Sequence, residues 1–152
     1  YLRLDKSDGT NDQPSSYINY SDTAMSTWGF AGKELVAYAW HSVPGYSAFG
    51  SFESTSAGVF VYLGFKPALI ISKLADGTGH WSAYDNKRQP FNNGSSNVLH
   101  PDLPNAGYDS EVYNFEFLSN GFRSFGTGSS FNSGTHIYMA FAEQPYEFAT
   151  GQ

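Results

Sequence analysis

The chain contains no cysteine. Disulfides and thiolate metal sites are therefore excluded, and the redox compartment stays undetermined. Charge is scarce as well: Asp, Glu, Lys and Arg make up 14% of the residues, against roughly a quarter in an average domain. The eight Lys and Arg do not cluster, and the net charge is −6. A nucleic-acid binder gathers basic residues to meet phosphates, so the charge argues against that class, and against anionic membrane surfaces. No apolar run approaches the ~18 residues that span a bilayer, so membrane insertion is not expected, and no signal-peptide pattern opens the chain. The first residue is Tyr1 and not Met, which points to processing or to a cut from a longer polypeptide.

Aromatic residues, by contrast, reach 18%, and there are 16 glycines. Many short strands separated by Gly, Ser, Asn and Pro turns produce that balance. The 152 residues suit one domain with room for a fragment of another, enough to bury a core without covalent staples. The longest apolar tract runs from Ala57 to Leu74 and divides into two runs, Val59–Leu63 and Ala68–Leu74. Between them stand Gly64-Phe65-Lys66-Pro67, where Pro67 rules out a helix interior and Gly64 frees the turn. Two strands joined by a tight connection are predicted. Their near-continuous apolarity predicts burial on both faces, or on one face plus a partner chain, with the other strands packed around the pair.

Further strands are predicted on either side. Tyr1–Asp5 alternates like a strand begun upstream, and a short strand is predicted near Tyr17–Tyr20 inside a polar loop. Glu34–Val43 alternates, with Val36, Tyr38 and Trp40 on one face. Glu and Ala there favour helix, but Tyr38, Trp40 and the following Pro44-Gly45 favour strand. Tyr46–Glu53, His80–Asp85, Glu111–Leu118, Phe122–Phe125 and Thr135–Glu143 complete the set, with Tyr113, Phe115 and Phe117 as a buried aromatic face. Asn93-Gly94 and Asn120-Gly121 mark turns. The predicted class is all-β, an antiparallel β-sandwich or jelly-roll-like pair of sheets.

One internal echo bears on domain organisation. VAYAWHSVPGYSAFG from Val36 aligns without gaps to IYMAFAEQPYEFATG from Ile137. The bulky positions Val36, Tyr38 and Trp40 match Ile137, Met139 and Phe141. Each stretch is then expected to be the last strand of a similar unit. Residues 1–43 would be the C-terminal part of a preceding unit, or an N-terminal extension packed on the sandwich, and 44–152 a complete sandwich domain.

The ordered segments YSAFGSF, FVYLGFKPALIISK, HWSAYDNKRQPFN, FLSNGF and IYMAFAEQP resemble a small β domain of tailed-phage structural proteins, especially marine ones. The resemblance covers about residues 44–148. It implies a tail-fibre or other virion-associated context, a homo-oligomer that is a trimer if the protein is a fibre, and contact with other virion proteins. It carries no catalytic residues to transfer.

No constellation of catalytic residues is apparent. The four histidines, His41, His80, His100 and His136, have no metal-ligand spacing, and His100-Pro101-Asp102 is expected to be a turn. No Gly-x-Ser-x-Gly elbow is present. The carboxylates Asp85, Asp102, Asp109 and Glu111 are scattered, as solvated surface groups are. No residue set implies a cofactor. The Gly126–Gly134 stretch lacks the helix that a phosphate loop opens, and is read as a hairpin or a variable binding tip.

The most suggestive cluster is Trp81, Tyr84, Asp85, Asn86, Lys87, Arg88, Phe91 and Asn92. Within it Trp81, Tyr84, Asp85, Arg88, Phe91 and Asn92 are the candidate contacts to a glycan or partner. Aromatic faces stack on sugar C–H bonds, and Asp, Asn and Arg hydrogen-bond hydroxyls. The structural alternative is that Trp81 packs in the core and Arg88 pairs with Asp85; the family match of DNKRQPFN strengthens it. The expected function is a non-enzymatic virion module for assembly or attachment to a host-surface glycan. A glycan-binding lectin-like module, a capsid decoration or surface-filament protein, and a polysaccharide depolymerase are its rivals.

Overall fold

The computed structural model describes residues 2, 6–10, 18–21, 23–27, 34, 38–89, 92, 94–126, 128 and 133–144. All regular structure among them is strand, and every pairing is antiparallel. The strands are β1 (Ile18–Tyr20), β2 (Met25–Thr27), β3 (Ser47–Thr55), β4 (Val59–Tyr62), β5 (Pro67–Leu74) and β6 (Ser82–Asp85). They continue with β7 (Ser96–Val98), β8 (Tyr108–Ser110), β9 (Asn114–Leu118), β10 (Gly121–Phe125) and β11 (Ser133–Ala142). A four-stranded sheet in the order β3-β11-β5-β6 packs on a three-stranded sheet, β4-β10-β9, and β1-β2 and β7-β8 form small hairpins. The architecture is the predicted antiparallel sandwich.

Alternation places the core. Phe52, Ile70, Tyr84 and Ala140 project from the four-stranded sheet, and Phe115, Phe117 and Phe122 from the other. Tyr84 stacks on Phe115 at 4.3 Å between centroids, and Phe122 meets Phe52 edge-on at 5.7 Å and Tyr138 at 5.4 Å. The two faces thus interlock through rings, whose offset and edge-on contacts add to simple area burial. The predicted aromatic face of β9 is buried, and the Asn120-Gly121 signal forms a two-residue hairpin in which Leu118 pairs with Gly121.

Two expectations need correction. The tract Ala57–Leu74 does form two strands, but they lie in different sheets: β5 sits between β11 and β6, and β4 is an edge strand against β10. The reason lies in the connection. The N–H groups of Leu63 and Gly64 both donate to Asn120 O, holding the end of β4 to the β9–β10 hairpin. Gly64 takes φ 78°, Phe65 drops into the core, and Pro67 opens β5 in the other layer. β4 is also not buried on both faces, because Phe60 and Tyr62 are 48% and 69% exposed.

Second, residues 38–42 form no strand, and Tyr38 and Trp40 are 77% and 57% exposed and stack on each other. The segment has no ladder partner. It meets the start of β3 instead, through the Val43–Ser47 bridge, Ser42 Oγ accepting from Phe49 N–H, and Ser47 Oγ donating to His41 O. Residues 35–37 lie outside the described residues. Of the sequence echo, 137–142 lie in β11 and 38–42 are not strand, with 36–37 outside the described residues. Of the predicted strand Tyr1–Asp5, all but Leu2 lies outside the described residues, as does most of the Gly126–Gly134 loop.

Phe122 is fully buried and touches rings from three strands. Phe122→Ala is expected to cost about 3–5 kcal/mol of stability, read as a lower urea midpoint at an unchanged slope.

Candidate functional site

The predicted cluster is dispersed by the fold. Tyr84 points into the core, and burial there pushes its phenol well above its ordinary pKa. Trp81 is buried too, but on the opposite side of β6, over the outer face of the four-stranded sheet. Phe91 lies outside the described residues. Asp85 caps the turn after β6: its Oδ1 accepts from the N–H groups of Lys87 and Arg88 at 3.0 and 2.8 Å, and Oδ2 takes the Arg88 guanidinium. Arg88 also donates to Asn97 Oδ1 and Ala83 O, so the Asp85–Arg88 pair of the structural alternative is present. Burial opposes the charge of Asp85, but the Arg88 N–H and guanidinium and the Lys87 N–H outweigh it, holding the carboxyl below the usual range.

Asn92 has a role that spacing did not reveal. Its Nδ2 donates to Phe117 O at 2.9 Å, and its Oδ1 accepts from Phe117 N–H at 3.0 Å. Gln89 Nε2 donates to Phe115 O, and Ser96 Oγ accepts from Phe115 N–H. Two side chains of the β6–β7 connection and one at the start of β7 thus stand in for the missing neighbour strand along the free edge of β9. Asn86 Nδ2 reaches Glu143 Oε1, and Lys66 pairs with the same carboxylate at 2.7 Å.

A polar group that sequence reasoning missed lies at one end of the four-stranded sheet. His80 Nδ1 is 2.8 Å from Oδ2 of Asp102, whose side chain is buried. The His80 ring packs 5.1 Å from that of His100. His100 Nδ1 donates to Trp81 O at 2.8 Å, and its Nε2 shares a hydrogen bond with the Tyr108 hydroxyl at 3.0 Å. The predicted turn at His100-Pro101-Asp102 is what brings Asp102 back to His80, and Leu103 N–H closes it on His100 O. Lys73 is buried nearby and donates to Ser7 O and Leu74 O. Desolvation lowers its pKa, against the pull of Asp102 and Asp8.

A buried carboxylate that orients an imidazole is half of a general-base arrangement. No hydroxyl among the described residues is hydrogen-bonded to His80. No group of three metal-ligating side chains converges among those residues either.

A concavity lies on the outer face of the four-stranded sheet. It is a groove of about 580 Å³ lined chiefly by Trp40, Ile71, Trp81, Ile137, Met139 and Phe141. β5 and β11 therefore carry apolar side chains on both faces, which a sheet open to water on one side does not. The segment before β3 partly walls the groove through Leu2, Thr10 and Trp40. Thr10 is tied to Ala75 O by both its N–H and its hydroxyl.

The sequence profile of a family described as a domain of unknown function, DUF7483, matches residues 1–145. No curated protein and no solved structure matches the chain significantly.

Because the folded-state pKa of Asp85 is depressed, its stabilisation is present above about 3.9, the ordinary Asp value, and is lost as pH falls through the lower folded value. Asp85→Asn is expected to lower the urea midpoint at pH 7, and its deficit to shrink progressively in acid. A deficit that stays constant with pH would assign the loss to something other than the carboxylate charge.

Proposed function

Since the chain belongs to the DUF7483 family, a grouping by sequence whose description names no activity, we propose its role from its residues and geometry. It is a non-enzymatic structural module of a tailed-phage-like virion, part of a tail-fibre or tail-associated protein at the particle surface. It serves assembly, attachment to a host surface, or both. Its partners are other copies of itself and other virion proteins, with a host-surface glycan as the attachment target.

The observation that carries this is the apolar outer face of the four-stranded sheet, the groove bounded by Trp40, Trp81, Met139 and Phe141. Apolar area of this kind, on a chain with few charges, suits contact with neighbouring protein. The resemblance of the five ordered segments to phage structural domains supplies the particle. The interlocked rings supply rigidity, so that loops are held in fixed relation. Repetition of the module on one particle would raise weak contacts to useful avidity.

The test is the composition of purified particles. Peptides from this chain, and immunogold label raised against it, are expected on the virion. Met139→Glu places a charge in the groove and is expected to reduce incorporation several-fold while leaving the isolated domain folded. Particles lacking the chain, with the protein present elsewhere in infected cells, would overturn the proposal.

A further inference from the structure

The sandwich has two kinds of side. On one, both sheet edges are closed. The β6 edge is covered where Ala83 and Leu99 exchange backbone hydrogen bonds, and the β9 edge is covered by Gln89, Asn92 and Ser96. On the other side lie the edge strands β3 and β4, which adjoin each other.

The edge of β3 is closed over its first half only. Ser47 exchanges hydrogen bonds with Val43, and Phe49 N–H donates to Ser42 Oγ. Those contacts fix the parity: odd-numbered residues of β3 turn their N–H and C=O away from β11. Ser51 and Glu53 are the next two in that series. Both are exposed, and the backbone of neither is hydrogen-bonded on that side among the described residues. Thr55 O is taken again, by Gly58 N–H.

The strand, SAFGSFEST, carries no Lys, Arg or Pro, and its pairing with β11 runs through residues 47–55 without a register shift. These are the devices with which proteins block strand addition. Beside this window, β4 exposes Phe60 and Tyr62, two of the large apolar side chains left in water.

We propose that this edge is an interface for a second copy of the chain, β3 pairing with β3 antiparallel about a two-fold axis at Phe52. This alignment sets Ser51 opposite Glu53 of the partner subunit, a hydroxyl against a carboxylate, so that the two carboxylates are not apposed. It sets Gly50 opposite Ser54 of the partner subunit, small against small. The axis is perpendicular to the sheet, so both cores fall on the same side of the joined sheet. The two β4 edges are then brought toward each other, and Phe60 and Tyr62, on the face of β4 opposite the core-facing Val59 and Val61, flank that seam. A free extended peptide would satisfy β3 and leave those rings in water, which is why a second copy fits better. The proposal rests on the assembly role above only in requiring that copies meet.

Sedimentation velocity over a range of concentrations tests it, on the chain and on Ser51→Pro and Glu53→Pro. Proline removes an outward N–H and is tolerated on an edge strand at a position facing solvent. The parent is expected to form a dimer. Each proline variant is expected to weaken it about tenfold or more, the loss of the hydrogen bonds that one residue makes across the axis. In a chain without cysteine, the double variant S51C/E53C is expected to oxidise to a covalent dimer, and this decides the matter if a proline variant fails to fold. A monomer at every concentration overturns the proposal, as does a dimer indifferent to both prolines with no cross-link. Either result leaves the virion role standing, because that role is judged by particle composition.

Discussion

The contact on which the rest depends is the stack of Tyr84 on Phe115, one ring from each sheet, both fully buried. It joins β6 to β9, and each of these is the last strand of its sheet on that side. The other ring contacts between the two layers, Phe52 and Tyr138 on Phe122, lie on the β3–β11–β10 half of the core. The chain that follows β6 then crosses the gap between the layers. Gln89, Asn92 and Ser96 reach the β9 backbone from there, while Leu99 reaches β6. Ring packing and edge closure are therefore one construction: the stack sets the spacing, and the amide and hydroxyl side chains satisfy the backbone groups that the spacing leaves bare.

This accounts for the composition. A connection that acts as a surrogate strand through its side chains needs Gln, Asn and Ser, which both donate and accept, and has little use for Lys or Glu. The polar, turn-rich run after β6 is framework for this reason. Its charged members follow suit: Asp85 holds the N–H groups of the turn, and Arg88 spans Asp85, Asn97 and the Ala83 carbonyl. The same logic operates at the far end of the sheet, where Asp102 and His80 fix the turn that carries His100 to the Trp81 carbonyl.

Strand positions and inward faces were legible in the sequence where alternation was strong. Phe115 and Phe117 on β9, Ser47–Thr55, and the long β11 follow from period-two patterning alone. Partnership was not legible, because alternation says which face is buried and not which strand lies alongside. The tract Ala57–Leu74 reads as a pair for that reason, although Asn120 holds one half and β11 the other. Tyr38 and Trp40 alternate as a strand would, but alternation does not provide a ladder. The short strands β2 (MST) and β8 (YDS) are not legible, since a run of three residues is too short to show periodicity. In the candidate cluster, Asp85 with Arg88 was readable as a local pair at i, i+3. The coupling of Asn92 to Phe117 spans 25 residues and that of His80 to Asp102 spans 22, so both belong to the tertiary fold.

The division of the surface follows from the same construction. A sheet edge presents hydrogen-bonding groups at fixed intervals and accepts only extended backbone, whereas an apolar groove accepts any shape that fills it. The molecule closes the edges at β6 and β9 with dedicated side chains, and the first residues of β3 with Ser42 and Val43. Among the described residues nothing pairs with the backbone of Ser51 and Glu53, beside the exposed Phe60 and Tyr62. Closing that last stretch would take one more residue like Asn92, or a lysine or proline in β3. A fold that protects its other edges by specific contacts, and keeps this window flat, small-residued and uncharged except for Glu53, has the chemistry of a surface meant to be covered by backbone. The groove over β11 faces out from the sheet and the β3 edge faces along it, so contacts at the two do not compete for the same partner.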